Sequence, residues 1–143
     1  MPDRPDPELL ACRQCLCLAA RRAARALTRD FDRRLRPHGI RATQFSVLTN
    51  LLMRGPLTIG ALAEVLGLDR TTLTRNLTLI EAAGWVEIRP GADARLRVVA
   101  ATPAARTAVD VALPAWHAAQ QAATAAMGPG AVAALHTLAN DVS

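Results

Sequence analysis

One stretch, Leu57 to Thr102, constrains the fold of this chain more than any other: LTIGALAEVLGLDRTTLTRNLTLIEAAGWVEIRPGADARLRVVAAT. It reads as two short helices joined by a tight turn and followed by a β-hairpin. Thr58 stands where a hydroxyl caps a helix N-terminus, and Ile59, Leu62, Ala63 and Leu66 recur at helical spacing behind it. Gly67 ends that helix and Leu68 drops into the space between the two. Asp69 is the next N-cap, with a charge that suits the positive end of a helix dipole. In the second helix Leu73, Leu77 and Ile80 share one face and must pack inward. At about 100° per residue, Thr71, Thr74, Arg75 and Thr78 point away from that face, with Arg70 on its shoulder.

An outer face of threonine and arginine at the start of a helix is chemistry that a DNA major groove accepts. Arginine forks onto guanine O6 and N7, and threonine meets phosphates or a thymine methyl. A helix N-terminus also welcomes phosphate. Gly84 stops the helix. Trp85 to Arg89 and Arg97 to Ala100 read as two strands around a turn at Pro90, Gly91, Ala92 and Asp93, with Arg95 near the tip. Such a wing reaches a neighbouring minor groove or the backbone. The candidate DNA-binding residues are therefore Arg70, Thr71, Thr72, Thr74, Arg75 and Arg95. The sequence leaves open whether Asp93 pairs with Arg95 or with Arg97. The plainer alternative is a helix-turn-helix and hairpin used only for packing. The ordered run of helix, glycine turn, capped helix and arginine-tipped hairpin argues against it.

These residues carry a family resemblance. LTIGALAEVLGLDRTTLTRNLTLIEAAGWVEI, then Asp93-x-Arg95 and VVAATPAAR, resembles the DNA-binding lobe of MarR-family transcriptional regulators. The flanking helices fit that family's layout, so the likeness extends over essentially the whole chain. Ala101 departs from the leucine more usual before Thr102, a change that touches packing more than DNA contact. The resemblance implies a mainly α fold with a small β-hairpin wing, in the order α-α-α-α-β-β-α-α. It also implies a single 1–143 domain, with dimerisation helices at 8–36 and 103–142 and a winged helix-turn-helix lobe at 43–102. In that layout the terminal helices of two subunits interlock, and the two recognition helices meet successive major grooves of a pseudo-palindromic operator.

Composition agrees with a polyanionic partner. The 143 residues have a net charge of +5, and all 17 basic residues are arginine. A GC-rich genome also favours arginine over lysine. Half the chain is apolar, yet only four residues are aromatic: Phe31, Phe45, Trp85 and Trp116. A core of Leu, Val, Ile and Ala buries little area per residue, so a second subunit is expected to complete it. No stretch is long and apolar enough for a bilayer span and no signal peptide is recognised, so a cytoplasmic protein is expected.

The N-terminal segment from Met1 to Pro7 is expected to fray. Asp6 and Pro7 then open one helix running to about Arg36, with Leu9, Leu16, Ala20, Ala23, Leu27, Phe31 and Leu35 as its apolar stripe. Arg21, Arg22, Arg25, Arg29, Arg33 and Arg34 crowd the opposite side, as a solvated face or as partners for acids of a second subunit. Thr43 is the expected cap of the next helix, whose inward residues are Phe45, Val47, Leu48, Leu51 and Leu52. Thr102 and Pro103 open a long Ala-rich helix that Pro114 is expected to kink. Gly128, Pro129 and Gly130 end it, and a last helix spans about 131–141.

Cys12, Cys15 and Cys17 lie within six residues in the first helix. Read as helical, Cys12 and Cys15 share a face, with Cys17 about 200° round from Cys15. The segment QCLCLAARRAARALT resembles the start of MarR proteins that sense organic hydroperoxides through a cysteine, and Cys17 matches that residue. That branch holds its reduced cysteine with tyrosines, and this chain has none. Three readings stay open: thiols buried in a helix interface, a redox switch, and a soft-metal site completed by another segment. His38, His117 and His136 are scattered and form no metal motif, so no metal and no cofactor is assigned. No nucleophile–base pairing or phosphate loop points to an enzyme. The expected function is a homodimeric, sequence-specific DNA-binding regulator, a repressor released by an effector. The alternatives are an organic-hydroperoxide sensor using Cys17 and, more remotely, a winged-helix module for protein interaction. The family's usual effectors are small aromatic acids; nothing in this sequence selects one.

Overall fold

The computed structural model describes residues 6–141, so the fraying expected at the extreme N-terminus lies outside the described residues except at Asp6 and Pro7. Among the described residues seven α-helices and three strands follow in the order α1 (Pro7–Ala11), α2 (Leu16–Leu35), α3 (Ala42–Arg54), β1 (Leu57–Thr58), α4 (Ile59–Leu66), α5 (Arg70–Ala82), β2 (Val86–Pro90), β3 (Arg97–Ala101), α6 (Pro103–Met127) and α7 (Pro129–Asp141). The fold is mainly helical with a small antiparallel sheet, as expected.

Two departures concern the first helix and the sheet. The expected single helix to Arg36 is broken. A 3-10 turn at Cys12–Gln14 follows α1, and Cys15 takes an extended backbone (φ −60°, ψ 116°) as the N-cap of α2. Cys12 and Cys15 therefore do not share a face of one continuous helix, and the 200° offset to Cys17 does not apply. The sheet has a third strand, in the order β1-β3-β2, in which Leu57 pairs with Val99 and Thr58 with Val98. The expected hairpin is β2–β3, in register from Val86↔Ala101 to Pro90↔Arg97.

The core forms where α3, α4, α5 and the sheet meet. Leu48, Leu62, Leu73, Leu77, Ile80 and Val99 are fully buried, and each such side chain stabilises the fold by about 1.5–3 kcal/mol on burial. Of the α2 stripe, Leu35 is buried and Leu27 and Phe31 are half-buried, while Leu9, Leu16, Ala20 and Ala23 are exposed in this chain.

Helix α3 starts one residue before the expected Thr43 cap, and its N-terminus is served differently. The Ala42 N–H donates to the Asp32 carboxylate of α2 at 2.7 Å, and the Arg41 N–H donates to Gln44 Oε1 at 3.0 Å. Asp32 thus pins α2 to α3. One turn along α3, Phe45 stacks on Trp116 of α6, with ring centroids 6.0 Å apart and planes at 15°. Helix α6 runs unbroken through Pro114, which has no N–H to offer the Asp110 carbonyl. Helix α7 begins at Pro129, two residues earlier than expected.

Candidate nucleic-acid interface

The site is built on α4, the turn after it, α5 and the β2–β3 wing. Thr58 caps α4 as expected, its hydroxyl accepting the Ala61 N–H at 3.1 Å. Gly67 adopts the left-handed conformation (φ 61°, ψ 30°) that ends α4, which L side chains rarely adopt, and the Leu68 N–H then closes back onto the Ala63 carbonyl at 3.0 Å. This fixes the angle between the two helices.

Asp69 caps α5 with both oxygens. Oδ1 accepts the Thr72 N–H at 2.8 Å and Oδ2 accepts the Thr72 hydroxyl at 2.8 Å. The Thr72 backbone bond, and after it the hydroxyl bond, hold the carboxyl below its ordinary value. The cap is therefore ionised at the positive end of the helix dipole.

Leu73, Leu77 and Ile80 face inward as the spacing required. Arg70, Thr71, Thr74 and Arg75 are exposed, and among the described residues their side chains make no hydrogen bond or ion pair within the chain. Thr72 differs from its neighbours: it is half-buried, and its hydroxyl is committed to Asp69. Its place is in the cap rather than among the free polar groups of the outer face. Two features of that face escaped the sequence reading. The Thr78 hydroxyl is turned back onto the Thr74 carbonyl at 3.0 Å, and Leu79 stands exposed beside it.

The wing is held by its backbone. The Gly91 N–H donates to the Leu96 carbonyl at 2.8 Å, and the Leu96 N–H to the Asp93 carbonyl at 2.9 Å. A Cβ on Gly91 would sit 3.1 Å from Leu96 Cβ and 3.3 Å from Val98 Cγ2, so a side chain there would push its neighbours by a few tenths of an ångström. Asp93 pairs with neither guanidinium that the sequence offered it. Its carboxylate accepts the Arg95 backbone N–H at 3.0 Å. Arg89 pairs with Glu87, whereas Arg95 and Arg97 have no ion-pair partner among the described residues. Thr102 does not cap α6 with its side chain. Its hydroxyl donates to the Gly84 carbonyl at 2.6 Å and its N–H to the Trp85 carbonyl at 3.0 Å, tying the wing's base to the end of α5.

The cysteines lie apart from this face. All three are exposed in this chain, and the Cys12 thiol donates weakly to the Glu8 carbonyl at 3.8 Å. Among the described residues no group of three or more His, Cys, Asp or Glu is placed to hold a metal, and no helix is long and apolar enough to cross a membrane. His117 is exposed against the edge of Trp116. His136 borders an apolar cavity of about 130 Å³ between α2, α6 and α7, with Leu27, Phe31 and Leu135.

Comparison with known proteins places this arrangement. The model of the MarR family matches residues 38–96. The HTH-type transcriptional regulator YwoH of Bacillus subtilis (strain 168) is 34% identical over 80 residues, 56% of this chain and 58% of YwoH, so the match spans little more than half of that relative. The crystal structure of the M. tuberculosis transcriptional regulator MosR in complex with DNA is similar at a TM-score of 0.79. Its identity is 38%, covering 90% of this chain and 96% of that one. A mutant MarR from E. coli complexed with operator DNA is similar at a TM-score of 0.74 and 27% identity, covering 89% of this chain and 92% of that one. A winged helix-turn-helix of this topology, matched nearly end to end by a transcriptional regulator at 38% identity, places the chain in the MarR family of transcriptional regulators.

Proposed function

We propose that this protein is a homodimeric, sequence-specific regulator that binds double-stranded DNA in the cytoplasm and represses transcription until an effector releases it. The outer face of α5 carries the reading. It presents two arginines and two threonines that have no side-chain partner among the described residues, on a helix whose N-terminus is capped and pinned. Arg75 reads a base edge, Arg70, Thr71 and Thr74 flank it, and Thr72 holds the helix start. Arg95 on the wing meets an adjacent groove or backbone. MosR and MarR have been seen on DNA, which supports the same partner here.

The assignment of 43–102 to DNA and of 8–36 with 103–142 to a dimer rests on where apolar surface is left uncovered. Leu9, Leu10, Leu16 and Leu18 on the N-terminal helices, with Leu135 and Leu138 on α7, are between 39% and 84% exposed. A second copy covering them brings two recognition helices to one pseudo-palindrome.

The test is fluorescence anisotropy with duplex DNA from upstream of the protein's own gene, titrated across salt. Arg75→Ala is expected to cost about 1–3 kcal/mol on the specific site and to relax its sequence preference. Equal loss on specific and random DNA reassigns Arg75 to a phosphate contact.

The likeness of the Cys17 segment to the hydroperoxide-sensing branch favours one second reading, in which the effector is an organic hydroperoxide. The Cys17 thiolate attacks the terminal peroxide oxygen. An S–O bond forms, the O–O bond breaks, and the alcohol leaves with a proton as the thiol becomes a sulfenic acid. Cys17→Ser then keeps DNA binding and loses the peroxide response; a variant that still responds removes Cys17 from the mechanism.

A further inference from the structure

The outer face of α5 changes character along its length. Its N-terminal half offers Arg70, Thr71, Thr74 and Arg75, polar and uncommitted. One turn on, the polarity stops. Thr78 gives its hydroxyl proton to the Thr74 carbonyl at 3.0 Å, so it donates nothing outward without breaking that bond. Leu79 follows at 58% exposure, and Ala82, also exposed, completes the strip. At about 100° per residue, Thr71, Arg75, Thr78 and Ala82 fall within one sector of roughly 60°, and Leu79 lies about 40° beyond Arg75. A single exposed leucine carries no information by itself. This one sits a turn from the arginine of the outer face, opposite the buried Leu73, Leu77 and Ile80, beside a threonine whose polar atom is turned back.

We propose that Thr78 and Leu79 form an apolar reader for thymine methyl groups, set beyond Arg75, and so determine part of the operator sequence. The proposal rests on α5 entering the major groove. The thymine C5 methyl is the apolar group that base edges display there. A helix rises about 1.5 Å per residue, so the four residues from Arg75 to Leu79 cover about 6 Å. That is close to two base-pair steps at about 3.4 Å each. Each half-site is therefore expected to hold a guanine and a thymine about two base pairs apart.

The test begins with selection of bound duplexes from a random library by the full wild-type chain. Anisotropy titrations then use the enriched operator with that thymine replaced by uracil, which lacks only the methyl. Losing one buried methyl is expected to weaken binding about fourfold per half-site. Leu79→Ala, at an exposed position that the fold does not need, is expected to bind more weakly and to show no further loss with uracil. Arg75→Ala is expected to keep the full uracil loss, and Thr78→Ser, which keeps the hydroxyl and loses only the methyl, to show a smaller uracil loss than the wild type. An enriched motif without thymine at that spacing overturns the proposal. So does a uracil loss that is absent in the wild type or unchanged in Leu79→Ala. A library that yields no motif overturns sequence-specific binding itself, and the thymine reader with it. The selection and the uracil titration thus separate the two failures.

Discussion

The Asp69 carboxylate accepts the Thr72 N–H on one oxygen and the Thr72 hydroxyl on the other, and both bonds favour its ionised form. A group whose value is depressed in the folded state adds stability that is complete above its unfolded value and fades as pH falls through the folded one. Wild type is therefore expected to melt above Asp69→Ala at neutral pH, with the gap narrowing on acidification below the ordinary carboxylate range. Thermal melts across a pH series check this; a gap independent of pH assigns the cap's worth to its neutral hydrogen bonds. The same pair shows what a sequence holds back. Spacing identifies Asp69 as a cap, because its place before an apolar-periodic run fixes its role. Spacing does not decide whether the Thr72 hydroxyl faces the groove or the cap, because that choice is a side-chain rotamer set by one neighbouring oxygen. Asp93 teaches the same point: two arginines stood in range, and the backbone N–H of Arg95 took the carboxylate.

Elements with an apolar period and a cap were legible to within a residue or two. Helices α3, α4 and α5 turn inward the residues their periodicity selected, of which Leu52, Ile59 and Leu66 are half-buried and the rest buried, and Thr58, Gly67 and Asp69 mark the boundaries of α4 and α5. What was not legible lacked such a signal. The break at Cys15 has no glycine or proline beside it to mark it in the sequence. Strand β1 is two residues long, too short for alternation to show. The cap on α3 comes from Asp32, ten residues upstream on another helix, a contact that only the packing of α2 against α3 creates. Thr102 stands at the N-cap position of α6, but its hydroxyl donates to the Gly84 carbonyl across the sheet's end and accepts no N–H of α6. The outer face of α5 was legible in its polar half; spacing also puts Leu79 off the buried face, but a leucine there suggests no contact until its exposure is seen.

At the scale of the whole molecule, burial is uneven. The buried side chains gather around α3, α4, α5, the sheet and α6, while α1 and α7 bury none and, with the start of α2, expose leucines. Leu16, 84% exposed, opens α2. A glutamate there suits the helix dipole, so Leu16→Glu leaves the helix intact and burdens only an interface with a buried charge. Analytical ultracentrifugation is expected to show the variant shifted from dimer toward monomer with its circular dichroism unchanged; a persistent dimer moves the interface elsewhere. The stack of Trp116 on Phe45 has an optical consequence. The chain has no tyrosine and two tryptophans, so its ultraviolet emission comes essentially from Trp116, between α6 and α3, and from Trp85, at the foot of the wing. Replacing either with phenylalanine isolates the other. The molecule thus carries one native fluorophore where the long helix meets the lobe and one where the wing is anchored, and needs no attached dye to report on each.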